Sequence, residues 1–339
     1  MKRALWELGA AVGLALGVTV AVLLVAGADP AGVLRSLALG AFASGSKLAR
    51  VLTAWAPLTL CAVGLLYTFR IDLWNIGVEG QMMLGAVGAT WALRIAAPTL
   101  PPPAALGLAM AAGALLGALW AALAGLLKTR GGVNEIFAGL GLNFVAQGLL
   151  LWLIFGPWKR PGVASMSGTQ PLPPELWLPA WGRLSPVALG CVAAALAATW
   201  ILLRRSKVGL CLTAVGRNPT AAVLFGLRPD RHLLLAMGLA GGWAGLAGTI
   251  QVLGVYHRLI PAISSGYGYL ALLVAMLAGY RLAPVAPVAL FFAALNVGSI
   301  QLPLVHRLDS SLSGVIQGTL VLAFLAVHAW ARGRRERAR

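Results

Sequence analysis

The chain has 339 residues, of which 60% are hydrophobic and only 10% are charged, and its mean hydropathy is +0.86. A soluble protein carries roughly a quarter charged residues, so this chain needs the bilayer as a solvent for its apolar surface. The formal net charge of +17 does not indicate nucleic-acid binding, because the basic residues form short clusters between apolar runs and no single basic face. The three cysteines have no CxxC spacing, which argues against a disulfide framework or a metal site.

Apolar runs of membrane-spanning length recur along the chain, and each span needs about 20 such residues. We therefore predict an all-α, polytopic membrane protein, a single transmembrane domain over residues 1–339 with about ten spanning helices. The predicted spans are 8–27, 49–69, 81–97, 104–127, 136–155, 186–203, 232–254, 268–280, 284–300 and 314–330. The short segment 268–280 is either a full or a partial span. For the first segment we expect an uncleaved helix, with a cleaved signal peptide as the alternative.

The Lys and Arg residues predict the orientation, since cytosolic loops carry an excess of them. Most lie at 128–130, 204–231, Arg281 and 332–339. We therefore predict that the chain crosses the bacterial inner membrane with these segments and both termini in the cytosol. The loop 156–185 is then outside. It is rich in Pro, Gly and Trp, and we expect it to form an external cap on the bilayer surface.

Within span 232–254, glycines three and four positions apart predict close helix packing. They are Gly238, Gly241, Gly242, Gly245 and Gly248.

Two polar stretches interrupt the apolar pattern. Residues 70–81 contain two acids, two amides and two glycines between predicted spans, and residues 261–269 are rich in Ser, Gly and Tyr. Irregular backbone and charge at membrane depth are tolerated where protein or a water-filled cavity covers them. The first stretch follows the second span and the second stretch follows the seventh, which runs in the opposite direction. An inverted repeat is therefore possible; an ordinary cytosolic turn at 70–81 is the alternative.

The inner loop 204–231 is predicted to contain a short helix. Asn218 is a favoured N-cap, Pro219 suits the first turn, and Gly226 can end the helix in a left-handed conformation. The helix would expose Val223, Leu224 and Phe225 on the cytosolic side. Such a segment either docks into a groove of a partner protein or lies on the bilayer surface.

No HExxH or GxSxG motif occurs, so the sequence assigns no catalytic residue and predicts no enzyme. Residues 40–47 approach a phosphate-binding loop, but they end in Ser-Lys and follow no buried strand. No cofactor is predicted either. If ATP drives transport, a separate subunit binds it.

Four stretches together resemble the permease family of bacterial ATP-binding-cassette importers for branched-chain amino acids, simple sugars and nucleosides, and most of all its simple-sugar/nucleoside branch. They are 73–81 (LWNIGVEGQ), 132–135 (GVNE) with Leu142 and Asn143, 214–222 (AVGRNPTAA) and 265–268 (SGYG). The only departure noted is Trp74, where Phe is expected.

The resemblance implies an importer in which two permease subunits, often different chains, form the channel. Two ATP-binding subunits dock from the cytosol, and an external binding protein delivers the solute. It also implies that 218–225 is the coupling helix, which with Arg217 gives the coupling residues Arg217, Asn218, Pro219, Val223, Leu224 and Phe225.

The amides of the polar stretches suit the donors and acceptors of an uncharged solute, and aromatic rings suit a base. We predict that the substrate pathway includes Trp74, Asn75, Glu79, Gln81, Asn143 and Tyr267. Alternatively, Glu79 only pairs with Arg70 and fixes the break.

The rival function is an ion-coupled secondary transporter. Such a carrier tends to keep acids inside its helices, whereas the acids here lie at segment ends.

Overall fold

The computed structural model describes residues 27–162 and 167–306, together with scattered positions within 13–25 and 314–327. The predicted spans 8–27 and 314–330 are therefore described only at scattered positions, and the basic tail and residues 163–166 of the loop 156–185 lie outside the described residues. In the described part, regular secondary structure is helical throughout.

The α-helices in chain order are α1 (Pro30–Phe42), α2 (Gly45–Arg70), α3 (Val78–Ala96), α4 (Pro102–Thr129), α5 (Glu135–Phe155), α6 (Pro186–Arg205), α7 (Lys207–Arg217), α8 (Pro219–Leu224), α9 (Pro229–Ile250), α10 (Tyr267–Leu277) and α11 (Leu282–Gly298). Pro174–Leu176 forms a 3₁₀ turn, and Gln251–Tyr256 and Leu302–His306 form π-helical turns.

Five helices in the described part are long and apolar enough to cross a membrane: Gly45–Arg70, Pro102–Thr129, Glu135–Phe155, Pro186–Arg205 and Pro229–Tyr256. Each coincides with a predicted span. The count of ten and the inverted repeat stay predictions. Helix α1 was not anticipated, because its 13 residues are too short for a span and lie in a predicted external loop. Its start is nevertheless encoded locally, since the Asp29 carboxylate accepts the N–H groups of Ala31 and Gly32.

The chain forms two compact units. The first contains residues up to Leu52 and from Leu290 onward. Among its described residues, Val33 and Leu37 of α1 pack with Leu302 in a small apolar core.

The second unit, Thr53–Ala289, is built on three helices that approach to backbone contact. Glycines make this possible: a Cβ on Gly85 of α3 would collide with Gly245 of α9, and one on Gly117 of α4 would collide with Gly241. Gly248 of α9 lies in the same way against the backbone of α3. The predicted packing role is confirmed for Gly241, Gly245 and Gly248, while Gly238 has open space around its Cα.

The described part of the loop 156–185, which is predicted to be external, is held against the end of α9 by protein contacts. The Leu178 N–H donates to the Leu253 carbonyl at 3.0 Å, and the Leu172 N–H donates to the His257 carbonyl at 2.7 Å. The Trp177 ring stacks on the His257 imidazole with centroids 3.8 Å apart. This part of the loop is therefore a cap on the protein itself.

Candidate translocation site

The break after α2 is buried on one side and is not a solvated turn. Ile71, Leu73 and Asn75 are buried, whereas Asp72 and Trp74 between them are exposed. This alternation is typical of extended backbone. The chain leaves α2 through Asp72, whose φ of 60° is in the left-handed region that Asp tolerates better than most residues.

Two buried amides in this break bond to each other. The Asn75 Nδ2 donates to Gln81 Oε1 at 3.1 Å, and the Gln81 Nε2 donates to Asn75 Oδ1 at 2.8 Å. Both side chains are almost completely buried. The pair satisfies one donor and one acceptor on each amide, which removes much of the cost of burying them.

Asn143 of α5 connects three segments. Its Oδ1 accepts the Gly80 N–H at 2.9 Å, and its Nδ2 donates to the Ile76 carbonyl at 2.9 Å and to the Tyr269 hydroxyl at 3.2 Å. A Cβ on Gly80 would lie 2.8 Å from that Oδ1, so glycine permits the close approach of α3 to α5.

Glu79 caps a helix that is remote in sequence. Its Oε2 accepts the Gly268 N–H at 2.8 Å, and the carboxyl group also receives hydrogen bonds from the Ser264 hydroxyl and the amides of Gly266 and Tyr269. Helix α10 has Gly266 at its N-cap and hence no capping side chain of its own. The Glu79 carboxylate takes that role and faces the positive end of the helix dipole.

The suggested pairing of Glu79 with Arg70 is wrong. Arg70 instead donates from Nε to the Thr213 hydroxyl of α7 at 2.9 Å. The reason is steric and electrostatic: the amides of the α10 N-terminus already surround the Glu79 carboxylate, while Arg70 ends α2 beside α7.

The two aromatic pathway candidates differ in exposure. Trp74 is 37% exposed and packs edge-to-face on Phe69, with centroids 5.5 Å apart. Tyr267 is only 7% exposed, so neighbouring atoms cover its ring. The structure thus brings Asn75, Gln81, Glu79 and Asn143 together around the start of α3. The Trp74 ring packs on Phe69 instead.

Helix α10 is too short to cross a bilayer. Its 11 residues extend about 16 Å, roughly half of a hydrocarbon core about 30 Å thick. The 28 residues Pro229–Tyr256 extend about 42 Å and suffice for a full crossing. After this crossing the chain returns through 257–266 to start α10 beside Glu79. Residues 268–280 are thus better described as a partial span.

The short helix predicted within the loop 204–231 is present as α8. The Asn218 Oδ1 accepts the Ala221 N–H at 2.9 Å, and Gly226 follows with a φ of 76°. Leu224 and Phe225 are 84% and 86% exposed, and Val223 is exposed as well. A cavity of about 420 Å³ lies beside them; its lining includes Phe225, Leu227, Leu210, Ala214 and Arg217.

The loop 204–231 packs directly on the break between α2 and α3. Ala222 is the buried residue of α8 and belongs to the same apolar cluster as Ile71 and Leu73. A Cβ on Gly216 of α7 would collide with the carbonyl of Arg70. Helices α7 and α8 therefore touch the segment that carries the Asn75 and Glu79 network.

Several functional contacts were not predicted from the sequence: Glu79 as the cap of α10, Thr213 as the partner of Arg70, and Tyr269 as the partner of Asn143. Glu79 and Gly268 are too distant in sequence for a local pattern to reveal them. Tyr269 and Asn143 are 126 positions apart and are likewise too distant for a local pattern to reveal their contact.

Spans interrupted by buried polar segments, together with a capped apolar helix exposed in a basic loop, define a multi-pass membrane permease. A family model described as branched-chain amino acid transport system / permease component matches residues 47–325, and the chain belongs to this family.

The relatives include the glucose ABC transporter permease protein TsgB13 of Haloferax volcanii, 32% identical over 85% of this chain and 78% of the relative. The guanosine ABC transporter permease protein NupP of Bacillus subtilis is 27% identical over 94% and 91%. The nucleoside ABC transporter permease protein NupB of Lactococcus lactis is 25% identical over 83% and 78%.

These findings confirm the resemblance seen in the sequence. The chain is a permease subunit of an ATP-binding-cassette importer, and this assignment decides against an ion-coupled carrier.

Proposed function

We propose that this permease carries an uncharged solute rich in hydrogen-bonding groups, in the first place a nucleoside and, as the alternative, a simple sugar. Relatives named for guanosine, nucleoside and glucose transport support both. Amino acids, which the wider family description includes, fit less well for the following reason.

The observation that carries this proposal is the charge of the polar cluster. In the described part of the chain, its hydrogen bonds come from amides, hydroxyls and main-chain groups, and its one charged side chain is Glu79. Broken helices in transporters commonly direct their positive ends at an anionic substrate. Here Glu79 already occupies the N-terminus of α10, so no positive group of the cluster is left for a substrate carboxylate.

The complete importer, in this proposal, pairs the chain with a second, different permease. An external binding protein delivers the solute, and a separate cytosolic subunit hydrolyses ATP. The chain forms one transmembrane domain of ten spans, with lipid around it, in a bacterial inner membrane. Both termini are cytosolic.

Helix α8 couples the ATP-binding subunit to the membrane. Phe225, Leu224 and Val223 are exposed although they are apolar, and they sit on a helix fixed at both ends by Asn218 and Gly226. They fill a groove of the ATP-binding subunit, while Arg217 pairs with acids on the rim of that groove. Pro219 stiffens the first turn.

Contacts run without interruption from this helix to the polar cluster. Ala222 and Ile71 belong to one apolar cluster, Arg70 bonds to Thr213, and seven residues after Asp72 the chain reaches Glu79 and the N-terminus of α10. Contiguity alone does not demonstrate coupling. It supplies the shortest protein route by which movement of α8 reaches the half-helix.

The substrate pathway runs beside this cluster. Asn75, Gln81, Glu79 and Asn143 form its supporting wall, since they are buried and bonded mainly to protein groups. Tyr267 belongs to the same wall. Trp74, whose ring is partly exposed, is the member able to contact the solute directly.

Uptake by the reconstituted importer tests the substrate class. The chain is expressed with the ATP-binding, permease and binding-protein genes adjacent to its own, and cells receive labelled guanosine, glucose or leucine. Saturable uptake of guanosine, or of glucose for the alternative, is expected and requires this chain. Uptake of leucine alone would overturn the proposal.

A further inference from the structure

The segment from the end of α9 to α10 has an exposed polar face next to the buried cluster. Tyr256, Ser265 and Tyr269 are all exposed, whereas Tyr267 and Gly268 between them are buried. The hydroxyls of Tyr256 and Ser265 lie 3.0 Å apart and bond to each other. Tyr269 is 43% exposed and bonds to Asn143 through its hydroxyl oxygen.

The direction of the bond between Asn143 and Tyr269 is fixed by main-chain groups. The Asn143 Oδ1 accepts the Gly80 N–H, and its Nδ2 donates to the Ile76 carbonyl. The side-chain amide cannot be turned around without losing both bonds. The Tyr269 oxygen must therefore accept from Nδ2, at 3.2 Å.

The hydrogen of the Tyr269 hydroxyl is consequently available to another acceptor. Within the described residues, the bond from Asn143 is the one that its hydroxyl makes. A phenol whose oxygen is held and whose hydrogen points outward is an oriented donor, and it lies on an exposed face.

Lipid is a poor neighbour for this face. Tyr269 stands in the first turn of α10, a helix that covers only about half of the hydrocarbon thickness. An unbonded hydroxyl that faces acyl chains costs several kcal/mol, so such groups face protein or a water-filled cavity. Protein or a water-filled space therefore lies beside the exposed hydroxyls, and a solute pathway is such a space.

We propose that Tyr269 is a specificity-determining residue of the permease: its ring stacks on the heteroaromatic base of a nucleoside, and its hydroxyl donates to an acceptor on that solute. This inference rests on the proposed nucleoside function and deepens it. Asn143 is the positioning residue that holds the Tyr269 hydroxyl in place.

Stacking makes a distinction among nucleosides. Every base has a π-face, so the Tyr269 ring can stack on any of them. The strength of the contact increases with the overlapping area. A purine should thus depend on the Tyr269 ring more than a pyrimidine does. A sugar without a base has no such face and should depend on the ring least.

The test compares Tyr269→Leu, Tyr269→Phe and the wild type in the complete importer. In this mechanism the external protein sets the apparent KM, so the maximal uptake rate at saturating solute reports on the permease. Tyr269→Leu is expected to lower the guanosine rate about tenfold and the uridine rate about threefold. Tyr269→Phe keeps the ring, so both rates fall by about the same factor, roughly threefold.

Trp152→Leu, an exposed aromatic of α5 outside the face, serves as the control and should leave both rates unchanged.

A changed guanosine-to-uridine ratio in Tyr269→Leu, with the ratio retained in Tyr269→Phe, supports the inference; a purely structural role would not move this ratio. If Tyr269→Leu fails to insert, the uptake rates of Tyr269→Phe still test the donor role. Rates equal to those of the wild type would overturn it. Equal losses for both nucleosides in Tyr269→Leu overturn the stacking role. Failure of the proposed function is visible separately, because the wild-type importer would then take up no nucleoside.

Discussion

The Gly268 N–H donates to the Glu79 carboxylate at 2.8 Å, across 189 positions of the chain. Glu79 is the second residue of α3 and Gly268 is the second residue of α10, so this bond joins the two polar stretches that interrupt the apolar sequence. Glycine is required at 268, because a Cβ there would lie 2.6 Å from the Glu79 Cα. The two interruptions therefore form one site.

Removing the Glu79 carboxyl group should destabilise α10. Hydrogen bonds to a charged group contribute about 1.5–3 kcal/mol, and the helix has no other capping side chain. We expect Glu79→Ala to lower the free energy of unfolding in detergent by about 2–3 kcal/mol and Glu79→Gln to lower it less. Thermal melts would measure this. Glu175→Ala, an exposed acid of the external loop, is the control; identical melting of both alanine variants would contradict the capping role.

The amide pair should behave as a coupled unit. Asn75→Ala leaves the buried Gln81 amide without its partner, at a cost of about 1–3 kcal/mol, and Gln81→Ala does the reverse. The double variant should cost less than the sum of the two, which a double-mutant cycle measures. Additive effects would mean that the pair is not coupled. Folded Asn75→Ala and Asn143→Ala proteins with normal uptake would remove both residues from the pathway.

Substitutions on the outer face of α8 should uncouple transport without unfolding the chain. Phe225 is almost fully exposed here, so Phe225→Ala removes little internal packing. At an interface, loss of a buried aromatic anchor costs about 2 kcal/mol or more, which weakens binding over tenfold. We expect Phe225→Ala and Val223→Asp to lose uptake and to lose the ATP-binding subunit on co-purification. Leu115→Ala, which also removes an exposed apolar side chain, on α4, should do neither. Variants of α8 that retain both properties would refute the coupling role.

Cysteine labelling should report the orientation. Gly168 is a poor position, since its φ of 131° and its contact with the Leu259 carbonyl exclude a side chain. Gln170 is exposed in the same loop and suits the experiment. In a cysteine-free background, we expect an impermeant reagent added to intact cells to label Gln170→Cys and to leave Ala338→Cys unlabelled. The reverse pattern would invert the proposed topology.

The external cap should loosen in acid. Burial lowers the pKa of His257 below its usual value near 6.5, and the hydrogen bond to the Leu253 carbonyl opposes this only in part. The folded cap thus favours neutral His257. Its stability is complete above the usual pKa and declines as the pH falls from there toward the lowered pKa.

Limited proteolysis of the loop at pH 7.5 and 5.5 measures this effect. The cleavage rate of the wild-type loop should increase from pH 7.5 to pH 5.5 by a larger factor than that of His257→Asn. Asn tolerates the left-handed backbone of residue 257, where φ is 53°, and does not titrate. An equal pH response of the two proteins would show that His257 is not the titrating group.

Features encoded within a few residues were predictable from the sequence. Asn218, Pro219 and Gly226 mark the beginning and end of α8, and the structure contains that helix. The glycine spacing in α9 likewise indicated where helices touch. Such signals are local, because a cap or a glycine row acts on its own helix.

Contacts between distant segments could not be predicted in this way. The sequence offered Arg70 as a nearby opposite charge for Glu79, but the partners are main-chain amides at the start of α10 and the Ser264 hydroxyl just before it. The Tyr pair shows the same limit: Tyr267 and Tyr269 look equivalent in the sequence. The start of α10 decides that the first is buried and the second is exposed.

The glycine contacts among α3, α4 and α9 also constrain how the permease can move. Where backbones touch, no layer of side chains can change rotamers to accommodate sliding, so these three helices should shift as one rigid block. Opening and closing of the route must then arise at joints outside the block. Helix α10 provides such a joint, because a glycine precedes it, a glycine at residue 279 follows it, and both have left-handed φ angles. We therefore expect the route to open and close where the glycines flank α10, against the contact between Glu79 and Gly268.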